Sequence, residues 1–577
     1  MRRKRLYIWM ICLIAGFAGL IYKLMDIQLF HAEDYGPSSV NLLEESVNQR
    51  SSKITLSDGR GVFVDRNGSP LHYTSKKDIV VFPFVQGVTD LSHTIRERLG
   101  VSEQEWNTWF TDEKQPFFLS DKWMAIPDTM YDEVEKLKLP GLIAVERKSE
   151  VDEGGADHLL GITRSDKEGF DQRYPERKGE TPVEYGLTGL EKAFDPFLSG
   201  KGEQVLQYHV DAMGNPLLGM DMRLRSMEDT FYPLELRTTL DKNLQERLER
   251  IVLQSNMKEG GAVLLDVEKR EVLALVSLPS INKQDPYANN NASNRMLMPF
   301  NPGSVFKTVI AAAALENHPE ALLQTYDCNL DLYGKPGAER QLGSLSFTDS
   351  FAQSCNYTFG QVANELASMD RNLISLYADK LGLMDRVGWS GQLFHYDAFR
   401  QLPEEGAGTI WGDGYDPGVE DAIRQTAIGQ KNVKVTPLAV ANMMATIAED
   451  GVYKNVKAVN EIAYHNGSMM YRFETKPEQR FSSVTAVKLQ QLLEQVVDAG
   501  TGTYLANVEV AGKSGTAETG KKNTNHYWFA GYFPRKDPKY ALALVELNQK
   551  PADQSLYDTY SKIVHAVSDT SDDHSVQ

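Results

Sequence analysis

The sequence is poor in cysteine, with three in 577 residues, and this excludes a fold held together by a framework of disulfide bonds. Cys12 lies in an apolar N-terminal segment. Cys328 and Cys355 could pair in an oxidising compartment, but two cysteines give no pairing signal, and we expect two free thiols. No Cys and His residues show metal-ligand spacing, and the 11 histidines are scattered, so no metal site is predicted.

Positive charge is also scarce. The chain has 61 Lys and Arg against 79 Asp and Glu, a formal net charge of −18, and its body contains no basic stripe. This argues against a nucleic-acid partner. With 10% aromatic and 24% charged residues the composition is that of an ordinary globular protein, and the length allows two or three domains.

The basic residues that stand out are at the N-terminus, where residues 1–5 contain four Arg or Lys and the uncharged run Leu6–Tyr22 follows. The run is at the short end for a spanning helix, and no small-x-small cleavage site comes after it. We therefore expect an uncleaved membrane anchor over residues 6–25. The basic tail would stay in the cytoplasm and the rest of the chain would lie outside.

Residues 30–245 read as short strands and helices separated by turns rich in Gly, Pro and Asp. No acid, base and nucleophile converge in this stretch, which predicts a non-catalytic spacer or interaction module. A second domain is expected over residues 246–567, and the acidic tail 568–577 is predicted to be disordered.

The second domain begins with regular patterns. An apolar stripe predicts a helix over Lys242–Gln254, and two apolar runs after it predict an antiparallel hairpin of Gly261–Asp266 and Glu271–Ser277. Two neighbouring strands are predicted near the C-terminal end, over Tyr527–Tyr532 and Tyr540–Val545. This mixture indicates an α/β domain.

The strongest candidate for chemistry is Ser304. Pro302 and Gly303 favour a turn before it, and the run Val309–Leu315 is helical in composition, so Ser304 should lie in the first turn of a helix. Lys307 follows three positions later on the same face, and a buried neutral lysine can act as a base for a serine nucleophile. The Gly-x-Ser-x-Gly of the α/β-hydrolases is absent around Ser304.

Two further motifs complete a plausible acyl-transfer site. Ser354 and Asn356 are two positions apart, so a hydroxyl that relays a proton and an amide that orients a partner could face one cleft. The segment Lys513–Thr516 presents a cation and two hydroxyls at a strand edge, and its glycine allows close approach of a ligand. Such a strand suits a substrate carboxylate.

In the order Ser-x-x-Lys, Ser-x-Asn and Lys-Ser-Gly, these motifs resemble those of the penicillin-binding proteins and serine β-lactamases. Gln425–Gln430 and Val435–Leu438 resemble the stretch before the third motif. Arg60–Gly68 and Gly186–Asp195 resemble the N-terminal module of the class B penicillin-binding proteins. One segment departs from the family pattern: Arg173-Tyr174-Pro175 comes after Ala156-Asp157-His158-Leu159-Leu160-Gly161 instead of before it.

The resemblance implies a fold and a set of roles. The fold is an α/β (α+β) serine transpeptidase/β-lactamase-like domain with a central antiparallel sheet flanked by helices, preceded by an elongated mixed α/β module and one transmembrane helix. Ser304 would be the nucleophile, Lys307 the base, Ser354 a proton relay, Asn356 an orienting amide and Lys513 a carboxylate clamp. The implied substrate-binding residues are Ser514, Gly515 and Thr516, and backbone N–H groups of Ser304 and Thr516 would form the oxyanion hole.

The activity implied by the resemblance is cross-linking of peptidoglycan stem peptides that end in D-Ala-D-Ala, without a cofactor, with β-lactams acylating Ser304. A polytopic glycan-polymerising membrane protein is the implied partner. Alternatives stay open: a scaffold whose site has decayed, a D,D-carboxypeptidase or a β-lactamase. A bifunctional class A enzyme would need an acidic glycosyltransferase site, which residues 30–245 lack, and a β-lactam sensor would need a cytoplasmic effector larger than residues 1–5.

Overall fold

The structure is a computed structural model. It describes residues 2–35, 41–42, 50–111, 113–122, 126–151, 155–177, 184–199, 202–211, 216–217, 223–225, 231–282, 285–286, 290–412, 418–521, 523–550 and 554–573. The chain forms two compact units, and the N-terminal half contributes to both. The first unit comprises Met1–Gly59, Ser75–Ser149 and Lys201–Asp229, and the second comprises Arg60–Thr74, Glu150–Gly200 and Thr230–Gln577. The predicted division into a non-catalytic module up to residue 245 and a catalytic domain from residue 246 stays a prediction.

The first unit is built on two small sheets. One sheet joins Ser51–Ser57, Gln204–His209 and Arg223–Arg225, and the other joins Phe117–Phe118, Tyr73–Val81 and Leu142–Glu150. Its helices are Arg2–Met25, Phe84–Gly87, Thr89–Leu99, Glu103–Trp109 and Asp128–Leu137. Buried Trp106, Trp109 and Phe110 lie in its main core cluster with Ile79, Val81 and Leu119.

The N-terminal helix Arg2–Met25 continues as a short π-helix, Asp26–Phe30. The segment Lys4–Phe30 has 27 residues, and none of its most apolar window is buried in the protein. It is therefore long and apolar enough to cross a membrane.

A five-stranded antiparallel sheet forms the centre of the second unit. In chain order its strands are β1 (Gly260–Asp266), β2 (Val272–Leu278), β3 (Ala511–Glu518), β4 (Asn525–Phe533) and β5 (Tyr540–Gln549). Their spatial order is β2-β1-β5-β4-β3, and every neighbouring pair is antiparallel. The predicted hairpin is thus confirmed as β1 and β2, and β3 is an edge strand of this sheet.

Helices cover both faces of this sheet. On one face, α1 (Lys242–Gln254) packs beside α6 (Ser555–Asp573). The other face carries α4 (Pro437–Ala448), while α2 (Lys307–Asn317) contacts both α3 (Asn356–Met369) and α5 (Ser483–Ala499). Along β5, Ala541, Ala543 and Val545 join one core cluster and Leu542 and Leu544 the other, as strand alternation requires.

The second unit also contains a four-stranded sheet and several short elements. That sheet is ordered Met469–Arg472, Val459–Ala463, Glu235–Thr238 and Val62–Val64. The further α-helices of the second unit are Asp157–Leu160, Lys167–Arg173, Gly189–Ala193, Asp195–Leu198, Phe347–Ala352, Leu373–Lys380 and Glu420–Ala427. Two-stranded pairs are Thr163–Arg164 with Tyr185–Gly186, Thr325–Asp327 with Ser344–Ser346, Ser390–Leu393 with Tyr396–Arg400, and Val452–Tyr453 with Glu478–Gln479.

Local signals placed two of the helices well. The predicted α1 is confirmed from Lys242 to Gln254, with Asp241 as its N-cap. In α4, Thr436 accepts a hydrogen bond from the Ala439 N–H at 3.1 Å and Pro437 is the first helical residue. That helix ends at Ala448.

The Arg-Tyr-Pro segment that departs from the family pattern takes part in a buried ionic network. Asp195 accepts from Tyr174 Oη and lies 3.1 Å from Arg173 Nε and 2.8 Å from Arg60 Nη1. Arg60 also donates to Glu191 through Nε at 3.0 Å. Because buried charges are tolerated only when they are paired, these contacts hold Arg60, the Arg173-Tyr174 pair and Asp195 together.

One expectation about the C-terminus is wrong. The tail was expected to be disordered from residue 568, but α6 continues to Asp573. Tyr560, Ile563, Val564 and Val567 of this helix are buried in the core, and Ser568 Oγ donates to the Val564 carbonyl at 2.9 Å. Packing of the preceding turns therefore extends the helix into the acidic segment. Residues 574–577 lie outside the described residues.

Candidate active site

Ser304 lies in a 3-10 turn, Gly303–Phe306, that leads directly into α2. The prediction of a turn before a helix is confirmed, although the α-helix proper begins only at Lys307. Gly303 has φ +57°, and a Cβ there would lie 2.3 Å from the Thr516 carbonyl oxygen. The turn can therefore rest against the backbone of β3 only because residue 303 has no side chain.

A glycine of β3 allows the same close approach from the other side of this contact. A Cβ on Gly515 would lie 2.4 Å from the Pro302 carbonyl oxygen. The turn is also tied to Gly429, whose carbonyl accepts from the Gly303 N–H at 3.1 Å. Trp528 Nε1 donates to the Asn301 carbonyl at 3.0 Å. The first and third motifs are thus in direct backbone contact, as an acyl-transfer site requires.

Lys307 is completely buried and meets the second motif. Its Nζ is 2.8 Å from the Ser354 carbonyl oxygen, 2.7 Å from Asn356 Oδ1 and 3.1 Å from Ser354 Oγ. A neutral amine has two N–H groups and one lone pair, so the two carbonyl oxygens can take both N–H groups. The lone pair is then left to accept a hydroxyl proton.

Ser354 has φ +58°, which is uncommon for a residue other than glycine, and strained backbone of this kind clusters at functional sites. Asn356 is the first residue of α3, so its side chain comes from the start of a helix. The conformation at Ser354 lets both its carbonyl and its hydroxyl reach Lys307.

Lys513 is the second fully buried lysine. Its Nζ donates to the Ser514 carbonyl at 3.1 Å and lies 5.6 Å from the centroid of the Phe351 ring. Ser514 Oγ is 2.6 Å from Thr501 Oγ1, and Thr516 is exposed. The third motif therefore presents Ser514 and Thr516 on an edge strand, with the Lys513 amine buried behind them.

Burial controls the charge of both lysines. It is the main reason that the pKa of Lys307 falls well below its ordinary value, and the positive charges of Lys513 and Arg340 lower it further. Burial also lowers the pKa of Lys513 to about 7, with a second contribution from Arg340. The downward shift of the Lys307 pKa favours the neutral amine, which is the form that can act as a general base.

The structure brings together all of the residues predicted for the site: Ser304, Lys307, Ser354, Asn356, Lys513, Ser514, Gly515 and Thr516. Sequence reasoning missed Thr501 and Arg340. Neither belongs to a recognisable motif, and each reaches the site only through tertiary contacts. Among the residues that the structure describes, no group of His, Cys, Asp or Glu is placed to bind a metal ion.

The expectation of two free thiols is wrong, because Cys328 and Cys355 form a disulfide bond. Their Cα atoms are 5.9 Å apart although 27 positions separate them in the sequence. The chain returns to the same place because the pair Thr325–Asp327 and Ser344–Ser346 folds back beside the start of α3. Cys355 lies between Ser354 and Asn356, so the bond anchors the second motif.

Opening this disulfide is expected to destabilise the second unit. In the chain-entropy model, a loop of this length corresponds to about 3 to 4 kcal/mol of unfolding free energy. Urea denaturation with and without a reductant measures the loss, and the double variant Cys328→Ser/Cys355→Ser should match the reduced wild type. Cys12→Ser is the control, since Cys12 is free. Equal denaturation midpoints for reduced and oxidised protein would contradict the expectation.

Comparison with known proteins identifies a family that agrees with the acyl-transfer site described above. Residues 260–567 match the family model for the penicillin-binding protein transpeptidase domain. The chain therefore belongs to the penicillin-binding protein transpeptidase family, and the predicted class B membership, fold class and serine acyl-transfer chemistry are confirmed.

Particular relatives cover most of the chain. It is 24% identical over 565 residues to the peptidoglycan D,D-transpeptidase FtsI of Escherichia coli, which covers 92% of this chain and 85% of the relative. It is 25% identical over 449 residues to the peptidoglycan D,D-transpeptidase PbpA of Mycolicibacterium smegmatis, and this match covers 69% of this chain and 83% of the relative. It is 24% identical over 571 residues to the stage V sporulation protein D of Bacillus subtilis (92% and 81%).

Solved structures share the fold. A chain from a peptidoglycan synthase complex that coordinates polymerization and crosslinking matches with a TM-score of 0.64 and 21% identity, covering 97% of this chain and 98% of that one. The D,D-transpeptidase domain of a peptidoglycan glycosyltransferase from Eggerthella lenta matches with a TM-score of 0.56 and 18% identity, covering 89% and 98%.

Proposed function

We propose that this protein is a membrane-anchored peptidoglycan D,D-transpeptidase in which Ser304 carries the acyl group between two stem peptides. One observation carries the assignment of residues. The fully buried Lys307 offers its two N–H groups to the Ser354 carbonyl and to Asn356, three residues after an accessible serine. A neutral lysine held in this way is a general base with one free lone pair.

In the first step, Ser304 Oγ attacks the carbonyl carbon between two terminal D-alanines and its proton passes to Lys307 Nζ. The oxyanion that forms accepts hydrogen bonds from the backbone N–H groups of Ser304 and Thr516. Each such donor contributes on the order of 3 kcal/mol to the transition state. The close approach of Gly303 and Gly515 supports this role, because it presses the serine turn against the strand that carries Thr516.

The tetrahedral intermediate then breaks the bond between carbon and the amide nitrogen. The leaving amine of the last D-alanine needs a proton, which Ser354 Oγ, 3.1 Å from Lys307 Nζ, relays from the lysine. Lys307 returns to its neutral form and an ester joins Ser304 to the donor peptide. Lys513 and Thr516 hold the terminal carboxylate during this step.

In the second step, an amino group of a neighbouring stem peptide attacks the ester carbonyl. Lys307 takes a proton from that amine, the new amide bond forms, and Lys307 passes this proton to Ser304 Oγ as the serine leaves. β-Lactams acylate Ser304 as analogues of the D-Ala-D-Ala amide. The site residues supply every proton transfer in this scheme, so the scheme requires no cofactor.

Localisation and partner complete the proposal. The apolar helix anchors the protein, with residues 1–5 in the cytoplasm and the catalytic domain on the outer side of the membrane. The partner is a polytopic glycan-polymerising membrane protein. Its support is the structural match to a chain of a synthase complex that couples polymerization with crosslinking.

Covalent labelling tests the assignment of Ser304. The purified full chain should react with a fluorescent penicillin to give a labelled band that survives denaturation, and Ser304→Ala should abolish the band. Ser368→Ala, which changes an exposed serine of α3, is the control and should label like the wild type. An unlabelled wild-type chain, or full labelling of Ser304→Ala, would overturn the proposal.

The alternative functions separate in a second assay. A decayed scaffold would not label. A D,D-carboxypeptidase would release D-alanine from lipid-linked glycan strands without joining them, whereas a transpeptidase would form cross-linked dimers of the stem peptide. A β-lactamase would lose the label within minutes through hydrolysis of the acyl-enzyme.

A further inference from the structure

Arg340 lies on a fixed loop beside the site. The loop connects the paired strands Thr325–Asp327 and Ser344–Ser346, and the disulfide anchors its start at residue 328. Within it, the Asn329 carbonyl accepts from the Ala338 N–H at 3.1 Å, and Asn329 Oδ1 accepts from the Gly343 N–H at 2.9 Å. The backbone position of Arg340 is therefore fixed by these contacts.

The Arg340 side chain reaches the second motif. Its Nη2 donates to the carbonyl of Gln353, the residue directly before Ser354. It is also close enough to the centre of the site that its positive charge lowers the pKa of both Lys307 and Lys513. Arg340 is exposed, so solvent and substrate can reach its guanidinium.

The surroundings do not neutralise this guanidinium. Within the described part of the chain, Arg340 forms no ion pair, and its recorded hydrogen bond to Gln353 uses one of its five N–H groups. A further positive charge beside Lys513 raises the electrostatic energy of the empty site. A neutral donor would suffice to bind the Gln353 carbonyl, so this contact alone does not account for a charged group here.

A negatively charged substrate would offset this electrostatic repulsion. The terminal carboxylate of the donor peptide goes to Lys513 and Thr516 on β3, whereas Arg340 is attached to the segment that carries Ser354. Guanidinium groups bind carboxylates in a bidentate manner, which a planar acid group satisfies and a neutral carboxamide does not. Arg340 therefore suits a second carboxylate, located in the body of the stem peptide.

We propose that Arg340 binds a side-chain or branch carboxylate of the donor stem peptide and makes the enzyme select free-acid peptides over their amidated forms. This inference rests on the proposed function, since it names the substrate class of the same site. It adds Arg340 to the residues that touch substrate.

Two synthetic pentapeptides that end in D-Ala-D-Ala test the inference, one with free internal carboxylates and one with the same groups amidated. D-alanine release by the full chain gives kcat and KM for each, measured on the pH plateau of each variant. We expect the wild type to prefer the free acid, and Arg340→Gln to raise KM for that peptide by roughly tenfold, the effect of losing one charge-assisted contact. The amidated peptide should change by less than twofold.

Controls keep the outcomes distinct. Arg340→Lys retains the positive charge without the bidentate guanidinium and should recover part of the preference for the free-acid peptide. Arg371→Gln removes another exposed arginine charge and should leave both peptides unchanged. If the wild type neither labels with penicillin nor releases D-alanine, the proposed function itself fails. If it is active but Arg340→Gln slows both peptides equally, or leaves the preference intact, the inference about Arg340 is overturned.

Discussion

Replacing Lys307 with methionine is expected to reduce the rate of Ser304 acylation by about 10³-fold, because the reaction loses its general base. Methionine fills the same buried volume without an amine. Lys307→Arg should be equally slow, since a guanidinium stays protonated and cannot accept the serine proton. The second-order rate constant for a fluorescent penicillin measures both effects. A full rate in Lys307→Arg would show that Lys307 is not the base.

The stability of the same variants checks that the lysine is neutral. The folded pKa of Lys307 lies below its unfolded value, so the unfolded chain binds more protons at any pH between those two values. Unfolding free energy should therefore rise with pH more steeply in the wild type than in Lys307→Met, up to the ordinary lysine pKa near 10.5. Urea denaturation at pH 7, 8 and 9 gives the comparison. Parallel pH dependences would mean that Lys307 stays charged in the folded protein.

Replacing Gly303 with alanine is expected to reduce acylation by at least about 100-fold and to lower the unfolding free energy by about 2 to 3 kcal/mol. The new Cβ would lie 2.3 Å from the Thr516 carbonyl oxygen and 2.6 Å from its carbonyl carbon. Both are backbone atoms of β3, so the turn or the strand must move, and the serine turn would separate from the oxyanion-hole strand. Penicillin acylation rates and thermal denaturation measure the two effects.

Gly520→Ala provides the matched control. Gly520 also has a positive φ, +74°, but a Cβ there would meet no atom within 4 Å. It carries the strain of the left-handed conformation, about 1 to 2 kcal/mol, without the collision. Acylation should be normal in this variant. Equal loss of acylation in both would attribute the effect of Gly303→Ala to backbone strain and not to contact with Thr516.

Much of the architecture follows from local sequence. The apolar stripe that ends at Val252 predicted α1, and unbroken apolar runs predicted β1 and β2, because burial of a helix face or of both faces of a strand leaves a periodic signature. The order of three short motifs predicted the site residues, because a nucleophile, a base, a proton relay and a carboxylate clamp are each restricted to few residue types.

Other features lie beyond such patterns. The disulfide between Cys328 and Cys355 depends on how a strand pair folds back beside a distant helix, and two isolated cysteines carry no trace of that path. The positive φ of Ser354 and the role of Arg340 are likewise products of neighbours. The helical end at Asp573 results from packing that composition does not record.

For Ser304 and Lys307, the division is plain. The sequence by itself determined that a serine and a lysine share one face at the start of a helix, because three positions make almost one helical turn. The low pKa of this lysine, which favours its neutral form, comes instead from the folded structure around it. A pKa depends on desolvation and on nearby charges. The fold buries Lys307 completely, and it brings the charges of Lys513 and Arg340 to Lys307 from 206 and 33 positions away.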